Sequence, residues 1–168
     1  MTSCPEDDPV PEAAAPLPPG LQRIVDFFGS LPEPEKVDNL ILYADAARKC
    51  EPRAGEAFVL EDIRKDEECA DTVGIFLKVD PANQHSAFRV TLGPEVQTLT
   101  KAMTSILCKG LEGLTPTEVL EVPSTFVPLI VGTHLVRIRS QTTYYVLSRM
   151  KSACKVYLDR QRAAASAS

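Results

Sequence analysis

Histidine is scarce in this sequence, with only His85 and His134, and none of the five cysteines (Cys4, Cys50, Cys69, Cys108, Cys154) stands in a CxxC pair. Zinc sites of standard local spacing need such pairs, so no metal site is expected from local spacing. The cysteines are odd in number and widely spaced, which argues against a disulfide framework and suits a reducing compartment. A basic face is also missing. Lys and Arg number 18 against 23 Asp and Glu, a net charge of -5, and non-specific nucleic-acid binding needs the opposite balance. No apolar run approaches the roughly 18 residues of a membrane span. Neither a secretory apolar segment nor an Arg-rich transit sequence is evident. These absences lead to the expectation of a cytoplasmic protein that engages neither nucleic acid nor membrane.

What is present suits one globular domain. The chain has 168 residues, 44% of them hydrophobic and 24% charged, enough for a single core and short for two. Residues 1–19 hold six of the fourteen prolines, four acidic residues and no basic one. Such a segment buries too little surface to order itself, so it reads as a disordered acidic tail. The domain proper is expected over 20–162, with 163–168 as a frayed end.

Periodicity supplies the elements. Leu21, Ile24, Val25 and Phe28 recur at helical spacing and stop at Gly29-Ser30. After the hinge Leu31-Pro32-Glu33-Pro34, the apolar set Val37, Leu40, Ile41 and Ala44 defines a second amphipathic helix ending near Cys50. Cys50 follows Arg48 and Lys49, which would favour a thiolate, yet it reads as a partly buried cysteine at a helix end. Val73, Ile75, Leu77 and Val79 alternate with Thr72, Gly74 and Lys78, and Phe88, Val90 and Leu92 alternate with Arg89 and Thr91. Two period-two runs around Asp80-Pro81-Ala82-Asn83-Gln84 predict an antiparallel hairpin. A lone hairpin is marginal, so a third strand is expected near 57–60.

The second half reads as helical. Gly93-Pro94-Glu95 opens a helix with proline in its first turn, and Leu99, Met103, Ile106, Leu107 and Leu111 form its apolar face. Cys108, beside that face, reads as core packing. Thr115-Pro116-Thr117-Glu118 has the capping-box form. Phe126, Leu129, Ile130 and Val131 make a further apolar patch. A last helix is expected after Arg139-Ser140, with Tyr144, Leu147, Met150, Cys154 and Tyr157/Leu158 facing inward. Arg149, Lys151, Lys155, Arg160 and Arg162 then read as a solvated basic set, or as a docking surface for an acidic partner. Two helices, a small antiparallel sheet of about three strands and a helical C-terminal half give the α+β class.

Cys69 is the residue with the most chemical promise. It stands just before an alternating strand, where a loop would expose it. Asp66, Glu67, Glu68 and Asp71 surround it in sequence, which makes burial costly and disfavours a thiolate in the free protein.

Several segments together resemble the SufE family of sulfur-acceptor proteins, over about residues 21–160. Cys69 followed by an apolar strand is similar to the family's GCxSxVW segment. Gly93, Lys101 and Leu111 through Thr115-Pro116-Thr117-Glu118-Val119-Leu120 are similar to its glycine, lysine and TPEEIL helix pair. His134-Leu135 with Arg139-Ser140-Gln141 is similar to its HLxxSRSxG segment. The chain departs from these patterns at Glu68, Asp71, Gly74 and Thr142, where the family carries glycine, serine, tryptophan and glycine.

The resemblance implies a SufE/IscU-like fold and a persulfide relay. Cys69 would accept sulfane sulfur from a cysteine desulfurase and pass it to an Fe–S scaffold. Arg139 would stabilise the thiolate or persulfide anion by charge. The protein would be a sulfur carrier and desulfurase activator rather than a stand-alone enzyme, with no cofactor of its own. His134 reads as a structural histidine. Two other readings stay open. Cys69, Cys108 and His134 could converge as a metal- or cluster-binding scaffold of the related fold. Alternatively, with Glu68 and Gly74 in place of the family residues, the chain could be a non-catalytic regulator of a desulfurase.

Overall fold

The computed structural model describes residues 16–65, 72–94 and 96–167, and of residues 64, 65, 72 and 133–143 the backbone alone. Most of residues 1–19, the expected tail, lies outside the described residues. Leu17 already packs against the core. Helix α1 (Pro19–Gly29) buries Leu21, Ile24, Val25 and Phe28, the stripe its spacing predicts. Helix α2 (Glu33–Asp45) continues into a 3-10 turn over Ala46–Cys50.

The inward face of α2 differs from the expectation. Leu40 and Ala44 are buried, but Val37 and Ile41 are nearly half exposed. Tyr43 turns inward instead, with its ring centroid 5.7 Å from that of Phe28, and Lys109 of the third helix sits over the Tyr43 ring. One helix alone, rather than a sheet, covers much of α2, so its buried stripe is narrow.

Three strands, β1 (Leu60–Lys65), β2 (Thr72–Val79) and β3 (Ser86–Leu92), form an antiparallel sheet in the order β1-β2-β3. β2 and β3 fall where the alternation predicts them. The third strand does not lie at 57–60. It spans 60–65, a stretch written Leu-Glu-Asp-Ile-Arg-Lys. Glu61, Asp62, Arg64 and Lys65 interrupt any apolar run, which is why the sequence pattern passes over this strand, and charge on an edge strand deters pairing with other chains. Phe58 before the strand instead lies against Phe76 on the outer side, with centroids 5.2 Å apart.

Helix α3 (Thr98–Gly110) is the central element, buried on nearly every side. It begins later than its sequence suggests. Val96 is buried, and its N–H bonds to Gly93 O at 3.3 Å, so Pro94 belongs to a turn that precedes the helix. Leu107, Met103, Ile106 and Leu111 are fully buried.

Beyond Leu111 the chain clips onto the sheet: Ser86 N and Oγ both donate to Leu114 O, at 2.7 and 2.6 Å. Gly113 donates back to Ser86 O at 3.0 Å from a backbone with φ +89°, a conformation glycine adopts without cost. Helix α4 (Pro116–Leu120) carries the complete capping box. Glu118 N donates to Thr115 Oγ1 at 3.2 Å, and Thr115 N donates to Glu118 Oε1 at 3.1 Å.

A short 3-10 turn (Ser124–Phe126) leads into helix α5 (Val127–Val131). Phe126, Ile130 and Val131 are buried as expected, whereas Leu129 points outward and is about half exposed. Helix α6 (Thr133–Ser166) is one uninterrupted helix of 34 residues. It therefore starts before Arg139-Ser140, not after them. The real stop is Gly132, whose φ of +80° closes α5. The β-branched residues between Val136 and Thr143 weaken local helix preference, but that stretch holds no glycine or proline to break the helix. The helix also continues past Arg162 to Ser166. Leu147, Met150, Cys154 and Tyr157 face the core, as their spacing predicts.

Candidate functional site

The β1–β2 hairpin carries the candidate sulfur acceptor. Lys65 and Thr72 are paired across it, and residues 66–71 connect them. Cys69 belongs to that connection and lies outside the described residues, so the site can be built here only from its frame.

That frame centres on a residue the sequence reading left in solvent. Arg149 is 4% exposed, not part of a solvated face. Its Nη2 donates to Asp62 O at 2.8 Å and to Val73 O at 3.1 Å, its Nε to Asp62 Oδ2 at 3.4 Å, and its Nη1 to Tyr145 Oη at 2.8 Å. The guanidinium also lies 5.5 Å from the centroid of the Tyr145 ring. A planar, permanently charged group with five donors can meet so many acceptors at once, where a lysine could not. One side chain of α6 thus bridges both strands of the hairpin whose connection holds Cys69. The sequence did contain a signal. Position 149 falls on the same helical stripe as Val146 and Ala153, both buried, and an arginine in an apolar stripe must find acceptors inside.

Two anchors set the direction of α6. Arg149 meets Val73 near the start of β2, and Tyr157 Oη bonds to Gln84 Oε1 at 3.1 Å beyond its end. The helix runs with β2. Arg139 and His134 belong to its earlier turns. Ten residues separate Arg139 from Arg149, about 15 Å along a helix axis. The side chains of Arg139 and His134 lie outside what the structure describes.

At the same end, Val73 pairs with Leu92. Beyond Leu92, Gly93, Pro94 and Lys101 face Asp45, Arg48 and Glu51 across a cleft of about 440 Å3. Gly93 and Lys101 are two of the positions that resemble the SufE pattern, and here they line one cavity. Gly74, which stands where that pattern has tryptophan, has no space beside it. A Cβ there would overlap the Thr91 hydroxyl oxygen and come within 3.2 Å of both Ile63 and Phe76.

The remaining cysteines separate into two environments. Cys154 is fully buried, and burial pushes its thiol up to about 12. Cys50 and Cys108 are both buried in the core. The Cys108 thiol and the Ser105 hydroxyl donate toward the Cys50 sulfur, and the positive charge of Arg89 acts on it, which together hold the Cys50 thiol below the usual range. Cys108 is pushed up, chiefly as the donor in that pair and by burial. Cys50, expected as a partly buried cysteine at a helix end, and Cys108, expected in the core, are both buried. Among the described residues, no three His, Cys, Asp or Glu side chains group closely enough to hold a metal ion. In the same residues, no helix is long and apolar enough to cross a membrane.

Known proteins are similar to this chain in sequence or in fold. The family model for SufE, described as an Fe-S metabolism associated domain, matches residues 22–154. An uncharacterized SufE-like protein of Synechocystis is 30% identical over 116 residues, which span 68% of this chain and 67% of that one. The solution structure of a hypothetical protein from Thermus thermophilus superposes with a TM-score of 0.64 at 24% identity, covering 86% of this chain and 99% of that chain. The N-terminal part of a NifU-like nitrogen-fixing protein from Brucella abortus superposes with a TM-score of 0.51 at 13% identity, covering 69% and 89%. The α+β fold is thus shared with the Thermus and NifU-like chains, and the protein belongs to the SufE family, the Fe-S metabolism associated domain.

Proposed function

We propose that this protein is a sulfur acceptor that takes persulfide sulfur from a cysteine desulfurase on Cys69 and relays it to an iron–sulfur scaffold. The observation that carries the reading is the hairpin: a cysteine on a six-residue connection between paired Lys65 and Thr72, with the strands beneath it locked to α6 by Arg149. A rigid base with a short connection presents a thiol to a partner without reorganising the domain.

The transfer is an exchange at sulfur. The Cys69 thiolate attacks the terminal sulfur of the donor persulfide, the donor S–S bond breaks, and the donor cysteine leaves as a thiolate. A persulfide now stands on Cys69, and there is no net oxidation. The same attack by an acceptor thiolate on the scaffold unloads it. The role proposed for Arg139 is charge stabilisation of the anionic sulfur. The acidic residues Asp66, Glu67, Glu68 and Asp71 oppose a thiolate in the free protein. Docking onto a basic desulfurase surface would offset them and activate the thiol where sulfur is supplied.

The test is incubation with a cysteine desulfurase and cysteine, followed by intact mass and peptide mapping. One added sulfur atom on Cys69, absent from Cys69→Ser, is the expected result. Sulfur mapped to another cysteine, or retained in Cys69→Ser, would remove the basis of the proposal.

A second reading is favoured by one observation, the closed space at Gly74. If the outer face of the hairpin is built differently from the family pattern, the chain could dock on a desulfurase and regulate it without receiving sulfur. Binding to the desulfurase with no mass gain on any cysteine would select that reading.

A further inference from the structure

We propose that the groove between α4 and α6 docks a short extended segment of a partner protein, one that carries an apolar residue and two carboxylates at alternate positions. This goes beyond the persulfide reading and does not depend on it, because the groove is on another side of α6 from the hairpin. Successive residues turn by about 100° around a helix, so Lys151 stands about 160° and Lys155 about 120° round from Arg149, whose side chain meets the strands.

The groove has a volume of about 390 Å3. Its α6 wall consists of two rows at one-turn spacing. Leu147, Lys151 and Lys155 make one row, and Tyr144, Ser148 and Ser152 make the other. Leu120 of α4 and Ser124 line the groove with them. No Asp or Glu lines it, in a chain whose net charge is -5. Among the described residues, no hydrogen bond or ion pair engages either ammonium or the hydroxyls of Ser124, Tyr144, Ser148 and Ser152. The basic set of α6 is thus divided: Arg149 is buried, Lys151 and Lys155 line the groove, and Arg160 and Arg162 stand exposed farther along.

Positive charge with no carboxylate beside it selects an anionic partner. The spacing selects its form. Lys151 and Lys155 are separated by a rise of about 6 Å along the helix, and two residues of extended chain cover about 6.6 Å. Carboxylates at alternate positions of an extended segment therefore match both ammoniums. An apolar side chain two positions further along matches Leu147, with Leu120 beside it. The row of unpartnered hydroxyls can bond the N–H and C=O groups of the segment's main chain. A single compact anion would meet the lysines and leave the apolar end of the groove empty.

The experiment titrates the full chain into fluorescein-labelled peptides and reads anisotropy. Gly-Leu-Ser-Glu-Ser-Glu-Gly is the probe. Gly-Leu-Ser-Ser-Glu-Glu-Gly keeps its charge and composition without the alternation, and Gly-Leu-Ser-Gln-Ser-Gln-Gly removes the charge. The probe should bind most tightly of the three. Lys151→Gln and Lys155→Gln should each weaken it about threefold, the scale of one exposed ion pair, and Arg162→Gln should leave it unchanged. The peptide comparison uses wild type alone, so it decides if a variant does not fold. Equal binding of the two charged peptides, an equal loss in Arg162→Gln, or no binding of the probe would overturn the proposal. Acetylation of the free protein covers the other occupants: Lys151 and Lys155 should react as readily as the exposed Lys49. Resistance of both would mean that a segment of the same chain or a second copy already fills the groove, and would overturn the proposal as well.

Discussion

Arg149 and Val73 are joined across the core by a hydrogen bond of 3.1 Å from Nη2 to the main-chain carbonyl. The same nitrogen reaches Asp62 O at 2.8 Å on the neighbouring strand. The bond ties the middle of α6 to the strand that follows Cys69.

Removing that donor should therefore loosen both. Arg149→Gln leaves buried carbonyl oxygens without the charged donor and should cost about 3 kcal/mol, the scale of leaving such groups unmet. Arg149→Lys should recover only part, since one ammonium cannot span Asp62, Val73 and Tyr145 together. Urea midpoints check this. If the persulfide reading holds, sulfur loading of Cys69 should also slow in whatever fraction remains folded. An unchanged midpoint in Arg149→Gln would mean that the bridge contributes nothing to the fold.

Gly74 should tolerate no side chain while Thr91 keeps its hydroxyl. Gly74→Ala drives a methyl onto Thr91 Oγ1 and against Ile63 and Phe76, and overpacking of this kind costs about 1–3 kcal/mol. Pairing it with Thr91→Ala should return much of that loss. A double-mutant cycle in thermal melts measures the coupling, and additive effects would show that the two positions do not compete for the same space.

Glu56 should make stability depend on acid. Its carboxylate accepts from Lys78 Nζ at 2.6 Å and from Arg53 N at 2.7 Å, and Arg89 lies near. The Lys78 bond leads in holding its pKa down to about 2. A depressed carboxylate stabilises the fold at pH above its unfolded value, about 4.3, and that contribution fades as pH falls towards 2. Glu56→Gln should thus be less stable than wild type at neutral pH, and the two melting curves should converge in acid. Curves that stay equally separated down to pH 2 would assign the loss to packing instead.

Cys154 should be the last thiol to react. It is fully buried on the inner face of α6, and burial alone pushes it up to about 12. In native protein at neutral pH, iodoacetamide should leave Cys154 unlabelled over times that modify Cys69, and labelling should appear only in denaturant. Rapid native labelling would require α6 to open locally.

Some of this protein can be read from neighbours along the chain. The stripe Leu21, Ile24, Val25 and Phe28, the alternation through β2 and β3, and the Thr115–Glu118 capping box all formed as written. Each depends on contacts within a few residues, or on a period that fixes which side of one element turns inward. The identity of Cys69 as the residue of interest also came from local pattern and family resemblance.

Tertiary structure decided the rest. Periodicity tells which face is buried but not what covers it. The charged edge strand β1 exists because β2 offers it a partner, the outward face of Val37 and Ile41 because one helix covers only part of α2. An arginine read as solvated became the bridge between α6 and the hairpin, because two strands brought their carbonyls to it. Burial of a charge is settled by what the other side of the contact supplies, and that partner is set by the packing of distant segments.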